Sequence, residues 1–288
     1  MMKTTHITSG SLQQLWKISS ALMVSFLSMM TMLFVDRLFV ARYSIEALNA
    51  ASSSGTLYWS ITCMFMAVAS MGEVFVAQYN GAKAYKSLGS PIWQMIWFAL
   101  FSSIIFILFG VVGTQWGLRS SFINPLEGEY FRWNMYFAPL LVLLTAISSF
   151  YIGQGKTRIV QWMGLLGNSV NIILDYLFIF GWGEYIPAMG IKGAAIATGC
   201  GITIQTVIMS LLFLKKYNRI NFGTHKWAFN PPLFLKCLRI GAPPGFFVLF
   251  EMLGWAAFYN MMKMIGNHHM IVASITQSIL ILFLFFGC

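Results

Sequence analysis

The sequence holds few residues able to do chemistry, and most of them sit where charge is expensive. Asp36, Arg37, Glu73, Asp175 and Glu251 all lie within or at the ends of long apolar runs. Such residues are rare inside membrane spans and are functional-site candidates by default. The densest group is in "GLLGNSVNIILDYLFIFG", where Gly164, Asn168, Asn171 and Asp175 follow at steps of four, three and four. That spacing puts them on one stripe of one helix. Two amides and a carboxylate facing one way offer the hard oxygens that a small cation such as sodium takes. The competing reading is a polar contact between helices with no ion. Downstream, "GIKGAAIATGCG" sets Gly193, Ala197 and Gly201 four residues apart, a small-residue face that lets two helices pack closely. Thr198 lies next to that face and can point its hydroxyl at the stripe, or bond back to its own helix.

Asp36 and Arg37 interrupt "MLFVDRLFVAR" after a charge-free stretch from Ile18 to Val35. Eighteen uncharged residues already cross a bilayer, so the pair can sit at the outer interface. Alternatively the helix runs on through "LFVA", tilts, and buries Asp36 in the outer half of a bundle. Arg37 then either pairs with the carboxylate or extends outward. Glu251 follows "RIGAPPGFFVLF" with no basic partner nearby in sequence. Its position inside a span suggests a buried carboxylate serving a proton or a cation. Pro243 and Pro244 are expected to break the helix before it. Glu73 lies close enough to the inner end of its span to reach that interface. His268 and His269 are too few for a metal site and read as a solvated loop.

These residues are positioned by a chain built for lipid. Hydrophobic residues make up 58% and charged residues 9%, against about a quarter charged in a soluble domain. The first apolar run is too long for a cleaved signal peptide. Cys63, Cys200, Cys237 and Cys288 form no paired motif, so neither disulfides nor a metal are expected. The net charge of +10 reads as orientation of spans, with no nucleic-acid partner. Apolar runs place spans at 15–41, 55–79, 91–116, 131–152, 160–182, 190–214, 239–264 and 269–286. With the N-terminus inside, one side receives Lys3, Lys17, Lys83, Lys86, Lys156, Arg158, Lys215, Lys216, Arg219, Lys226, Lys236 and Arg239, with no acidic residue among them. The other receives Arg42, Arg119, Arg132, Lys192 and Lys263 mixed with Glu46, Glu127, Glu129 and Glu184. This is a positive-inside pattern.

The expected organisation is an all-α polytopic membrane protein. Residues 1–214 form a first lobe of six transmembrane helices, 215–232 a cytoplasmic basic linker, and 233–288 the start of a second lobe with helices seven and eight. A shift of 222 residues lays Lys17-Ile18 on Arg239-Ile240 and Ala51-Ser52 on Ala273-Ser274. The order of elements matches better than these identities, as in a parallel transporter repeat.

The chain resembles the multidrug and toxic compound extrusion (MATE) family of secondary transporters. The resemblance rests on "FVDRLFVARYSIEALNAAS", "FVAQYNGAK", "GQGKTR", "NIILDYLFIFG", "GIKGAAIAT" and "LRIGAPPGFFVLFE", which follow the family's order along nearly the whole chain. It implies two six-helix lobes around a V-shaped cavity, and export of organic, mostly cationic, compounds driven by a sodium or proton gradient. The family's first-span carboxylate matches Asp36, its cation-site residues match Asn171, Asp175 and Thr198, and a seventh-span glutamate in part of the family matches Glu251. Asn168 joins the set through its place on the stripe. Members usually carry a proline early in the first span, whereas this sequence reads "KISSALMV" there. A full member has twelve spans, so the last four are expected to be missing from this chain.

The expected activity is therefore cation-coupled antiport in the cytoplasmic membrane, by a monomer when complete, with sodium or a proton as coupling ion and no cofactor. Its partners are small organic cations or drugs and membrane lipid. An enzyme would need a nucleophile–base pair or a metal cluster within the spans, and the sequence offers neither. A flippase for lipid-linked saccharides would need bases lining its cavity, and only Arg37 is a candidate. The remaining alternative is an inactive truncated fragment.

Overall fold

The structure is a computed structural model that describes residues 12–120, 123–183 and 185–266, together with 268, 269, 272, 273 and 276. Most of the predicted eighth span lies outside the described residues, as do Cys288 and Glu184. Within them the secondary structure is helical apart from one isolated bridge between Trp182 and Ile186.

Helix α1 spans Leu12–Tyr43, 32 residues, or about 48 Å at the α-helical rise. It runs straight through Asp36 and Arg37, which therefore lie about two turns before its end. Ser44 ends it by adopting an extended backbone and starts α2 (Ile45–Ala69) by accepting from the Glu46 and Ala47 amides with its hydroxyl. The second span thus begins ten residues before the 55 expected from hydropathy. The stretch "NAASSSGT" reads as polar, but two of its hydroxyls donate within the helix. Ser54 donates to the Ala50 carbonyl at 2.6 Å, and Thr56 to that of Ser52 at 2.8 Å. Back-bonded in this way, small hydroxyl residues cost a membrane helix little. After a break at Ser70 and Met71, α3 (Gly72–Gly81) completes the span.

The third span is α4 (Gly89–Leu108), a π-helical turn (Phe109–Gly113) and α5 (Thr114–Arg119). Helix α6 (Pro125–Ile152) starts at Asn124, whose side-chain oxygen accepts from the Glu127 amide while Glu127 Oε2 accepts from the Asn124 amide, both at 2.8 Å. This capping box and the proline at the first helical position set the start six residues ahead of the apolar run. Then come α7 (Thr157–Phe180), α8 (Ile191–Phe213), the short α9 (Lys216–Phe222) and α10 (Pro231–Ile265). Among the described residues, six helical stretches after α1 are long and apolar enough to cross a membrane.

Helix α6 packs against α2, α4 and α8, while α7 lies between α1 and α8. The main core, around Phe106, Met135, Phe150, Met209 and Phe213, is gathered about α6. A smaller cluster of Val40, Ala47, Ala50, Ile179, Ile191 and Ala194 closes one end of α1, α2, α7 and α8.

Helix α10 corrects one expectation. It continues through Pro243 and Pro244 without a break. The glycines flanking the pair explain its packing. A Cβ on Gly241 would come within 2.7 Å of Met71 Cγ and 3.3 Å of the Val68 backbone, and one on Gly245 within 3.1 Å of the Met64 carbonyl oxygen. The pair of glycines therefore brings α10 flush against α2. Gly241→Leu should separate the two helices and cost about 1–3 kcal/mol. Thermal unfolding of the variant beside the unmodified chain reads that cost, with an unchanged melting temperature counting against this packing.

Candidate functional site

The stripe predicted on α7 meets α8 along its small-residue face. A Cβ on Gly201 would lie 3.0 Å from the Gly167 carbonyl oxygen and 3.3 Å from Asn171 Cβ. One on Gly193 would meet the Phe178 carbonyl oxygen at 2.5 Å. The helices are thus in backbone contact above and below the level of Asn171, which is what places Thr198 opposite it.

Asn171 joins the two helices. With its NH2 group toward Asp175, it donates to Asp175 Oδ2 at 3.1 Å, and its oxygen accepts from the Thr198 amide at 3.1 Å and from Thr198 Oγ1 at 3.2 Å. The opposite orientation turns the amide oxygen toward the carboxylate, so the network selects the first. Asp175 is fully buried and Asn171 nearly so. Asp175 Oδ1 has no hydrogen-bond partner. A buried polar atom left unpaired is costly and calls for an explanation.

Asp36 comes to the same place from α1. Its Oδ1 is likewise buried without a partner, and its charge acts on Asp175. Of the two readings of the first span, the structure takes the embedded one: the helix continues and the carboxylate points into the bundle. Arg37 is exposed, yet its charge reaches Asp36. The smaller apolar cluster lies one turn farther along each helix, through Val40 beyond Asp36, Ile179 beyond Asp175 and Ala194 beyond Thr198. It sets an apolar layer next to the polar group on that side.

Asn168, the next member of the stripe, donates to Ser28 Oγ at 3.0 Å, tying α7 to α1 two turns nearer the other end. It supports the pairing of α1 with α7, and its amide is engaged by Ser28. Glu251 does not join the group. It is exposed on α10, because Gly241, Gly245 and Met252 set the face turned to α2, and Glu251 falls off that face. Glu73 is half-buried at the start of α3, and His268 and His269 are exposed.

Two residues join the site without having been singled out. Ser28 is one. The other is Tyr130 on α6, whose ring packs with the capping cluster and lies within electrostatic reach of Asp36, Asp175 and Arg37. Its place in "EYFRWNMY" carried only a weak signal, a polar-tipped ring among aromatics at the start of a span. Unpaired carboxylate oxygens, an amide and a hydroxyl suit a small hard cation or a proton.

Gly201→Val should wedge α7 from α8 at this level and weaken cation binding at least about tenfold, a difference of about 1.4 kcal/mol. The check is the sodium concentration giving half-maximal thermal stabilisation; an unchanged value would show that the close approach is irrelevant to the site.

The sequence model of the MatE family matches residues 21–177, more than half of the chain. The chain belongs to the MatE family. Its curated relatives include probable multidrug resistance proteins NorM. The one from Thermotoga maritima is 27% identical over 228 residues, covering 75% of this chain and 47% of the relative. The one from Bacillus anthracis is 28% identical over 270 residues, covering 91% and 59%. Among solved structures, a MATE protein in the straight conformation aligns with a TM-score of 0.77 at 19% identity, over 93% of this chain and 60% of that one. A multidrug resistance MATE family transporter in an outward-facing conformation aligns at 0.63 and 20% identity, covering 84% and 53%. The all-α membrane fold is thus that of the MATE proteins. The family's members are transporters rather than enzymes. The chain spans about half to three-fifths of the length of the relatives it matches.

Proposed function

We propose that the chain carries the ion-coupling part of an exporter of small organic, mostly cationic, compounds, working as an antiporter in the cytoplasmic membrane with its N-terminus in the cytoplasm. The observation that carries this reading is the pair Asp36 and Asp175, each with one buried oxygen lacking a partner and within electrostatic reach of each other, with Asp175 held beside Asn171 and Thr198. Two carboxylates close together in a low-dielectric bundle repel each other unless a cation or proton sits between them. Occupancy would draw α1 onto α7, and release would let them part. A cycle of two arrangements biased by an ion is what antiport needs. The coupling species is sodium or a proton.

The family and the relatives named for multidrug resistance support this reading. Residue chemistry opposes the saccharide-flippase reading, because the embedded group is carboxylate-rich and Arg37 is exposed. Cells lacking their own exporters, expressing the complete reading frame, should accumulate less of a fluorescent organic cation than control cells. Sodium-free medium or a protonophore should restore accumulation and so name the ion. Equal accumulation with and without expression would refute the proposal.

A further inference from the structure

We propose that α9 and the loop after it form a docking surface for the headgroups of anionic phospholipids. The segment is built rather than slack. Asn218 faces inward and donates to the Leu212 carbonyl at 2.8 Å and toward Tyr151 Oη at 3.5 Å. Phe222, one turn on, stacks edge-on with Phe150 at 5.7 Å. The loop is then laced to the start of α4: Trp93 Nε1 donates to the Thr224 carbonyl at 2.8 Å, and Trp97 Nε1 to the Trp227 carbonyl at 3.1 Å. Gln94 accepts from the Asn230 amide at 3.0 Å. The segment is therefore held where α4 and α10 begin and α8 ends, which is the edge of the membrane.

With Asn218 and Phe222 inward, helical geometry turns Lys216 and Ile220 outward, with Arg219 and Tyr217 on either flank. All four are exposed, Tyr217 at 60% and Ile220 at 63%. His225 Nδ1 lies 2.9 Å from the Arg219 carbonyl, folding the loop back toward the helix, and the Lys226 and Trp227 that follow are exposed, Trp227 at 64%. The sequence contains no acidic residue between Glu184 and Glu251, so these cations lack acidic neighbours in sequence. Cations interleaved with amphipathic rings and an aliphatic side chain match a layer of phosphates above acyl chains. Each Lys or Arg near an anionic surface adds about fivefold to its affinity, the equivalent of about 1 kcal/mol.

The test is amide hydrogen exchange of the 288-residue chain in nanodiscs of phosphatidylcholine alone and of phosphatidylcholine with one third phosphatidylglycerol. Exchange across 216–227 should slow about tenfold or more with phosphatidylglycerol, and the triple variant Lys216→Gln, Arg219→Gln, Lys226→Gln should lose that slowing. Because neutralising these charges can also disturb insertion, the unmodified chain is measured at low and high salt as well, where the slowing should shrink as the charges are screened. Equal exchange in the two lipids, a slowing indifferent to salt, or one reproduced by inorganic phosphate in phosphatidylcholine would overturn the proposal.

Discussion

Asp175→Asn should make the protein more stable and leave it unresponsive to its coupling ion. Asp175 is fully buried, and one of its oxygens has no partner. It also feels the charge of Asp36. A buried charge without full compensation costs several kcal/mol. The replacement amide keeps an oxygen for the Asn171 NH2 group and removes both the charge and the repulsion. In sodium-free buffer the melting temperature should rise, by about 2–4 °C per kcal/mol recovered. The unmodified chain should gain stability as its ion is added, by about 1.4 kcal/mol for each tenfold excess over the dissociation constant. The variant should show no such gain. Melting curves in sodium and in choline chloride at equal ionic strength, repeated across pH, read both effects. A variant less stable in choline and still stabilised by the ion would show that Asp175 is a structural contact.

Asp36→Asn should abolish export while leaving folding and membrane insertion intact. Asp36 sits two turns from the end of α1 in a helix that continues past it, so its removal breaks no cap or turn. What it removes is the charge that acts on Asp175. Each positive charge moved out against about 100 mV costs about 2.3 kcal/mol, a factor of about 50 in the gradient an exporter can hold. An uncoupled variant in the complete protein should therefore let a monovalent organic cation rise to the level in cells without the transporter. Export at the unmodified rate with normal expression would remove Asp36 from the coupling mechanism.

The site was legible where its residues share one helix. The stripe Asn168, Asn171 and Asp175 and the glycine face of α8 follow from the helical period, and the structure brings them together as that period requires. Partners contributed by other helices were not legible. Ser28 meets Asn168 across 140 residues, and Tyr130 comes within electrostatic reach of the carboxylates from α6. No local pattern records such pairings. Hydropathy misplaced the start of α2 because it scores serine as polar, whereas a hydroxyl that donates to its own helix leaves no unpaired donor to solvate. Pro243 and Pro244 suggested a break, whereas the helix continues through them and the glycines on either side let it lie against α2. Glu251 looked buried because its span is apolar, but the face that α10 turns to α2 is set by Gly241 and Gly245. The basic segment 215–232 read as a plain linker, since hydrogen bonds from Trp93, Gln94 and Trp97 lie outside any local signal.

Asp36 and Asp175 are expected to form one site. Infrared difference spectra of the purified chain, recorded as sodium or pH is changed, resolve the carboxyl bands of the two residues. If they share a site, Asp36→Asn removes its own band and shifts that of Asp175, and Asp175→Asn does the reverse. If each variant removes one band and leaves the other at its original position and midpoint, the two carboxylates titrate independently and the shared-site account is wrong.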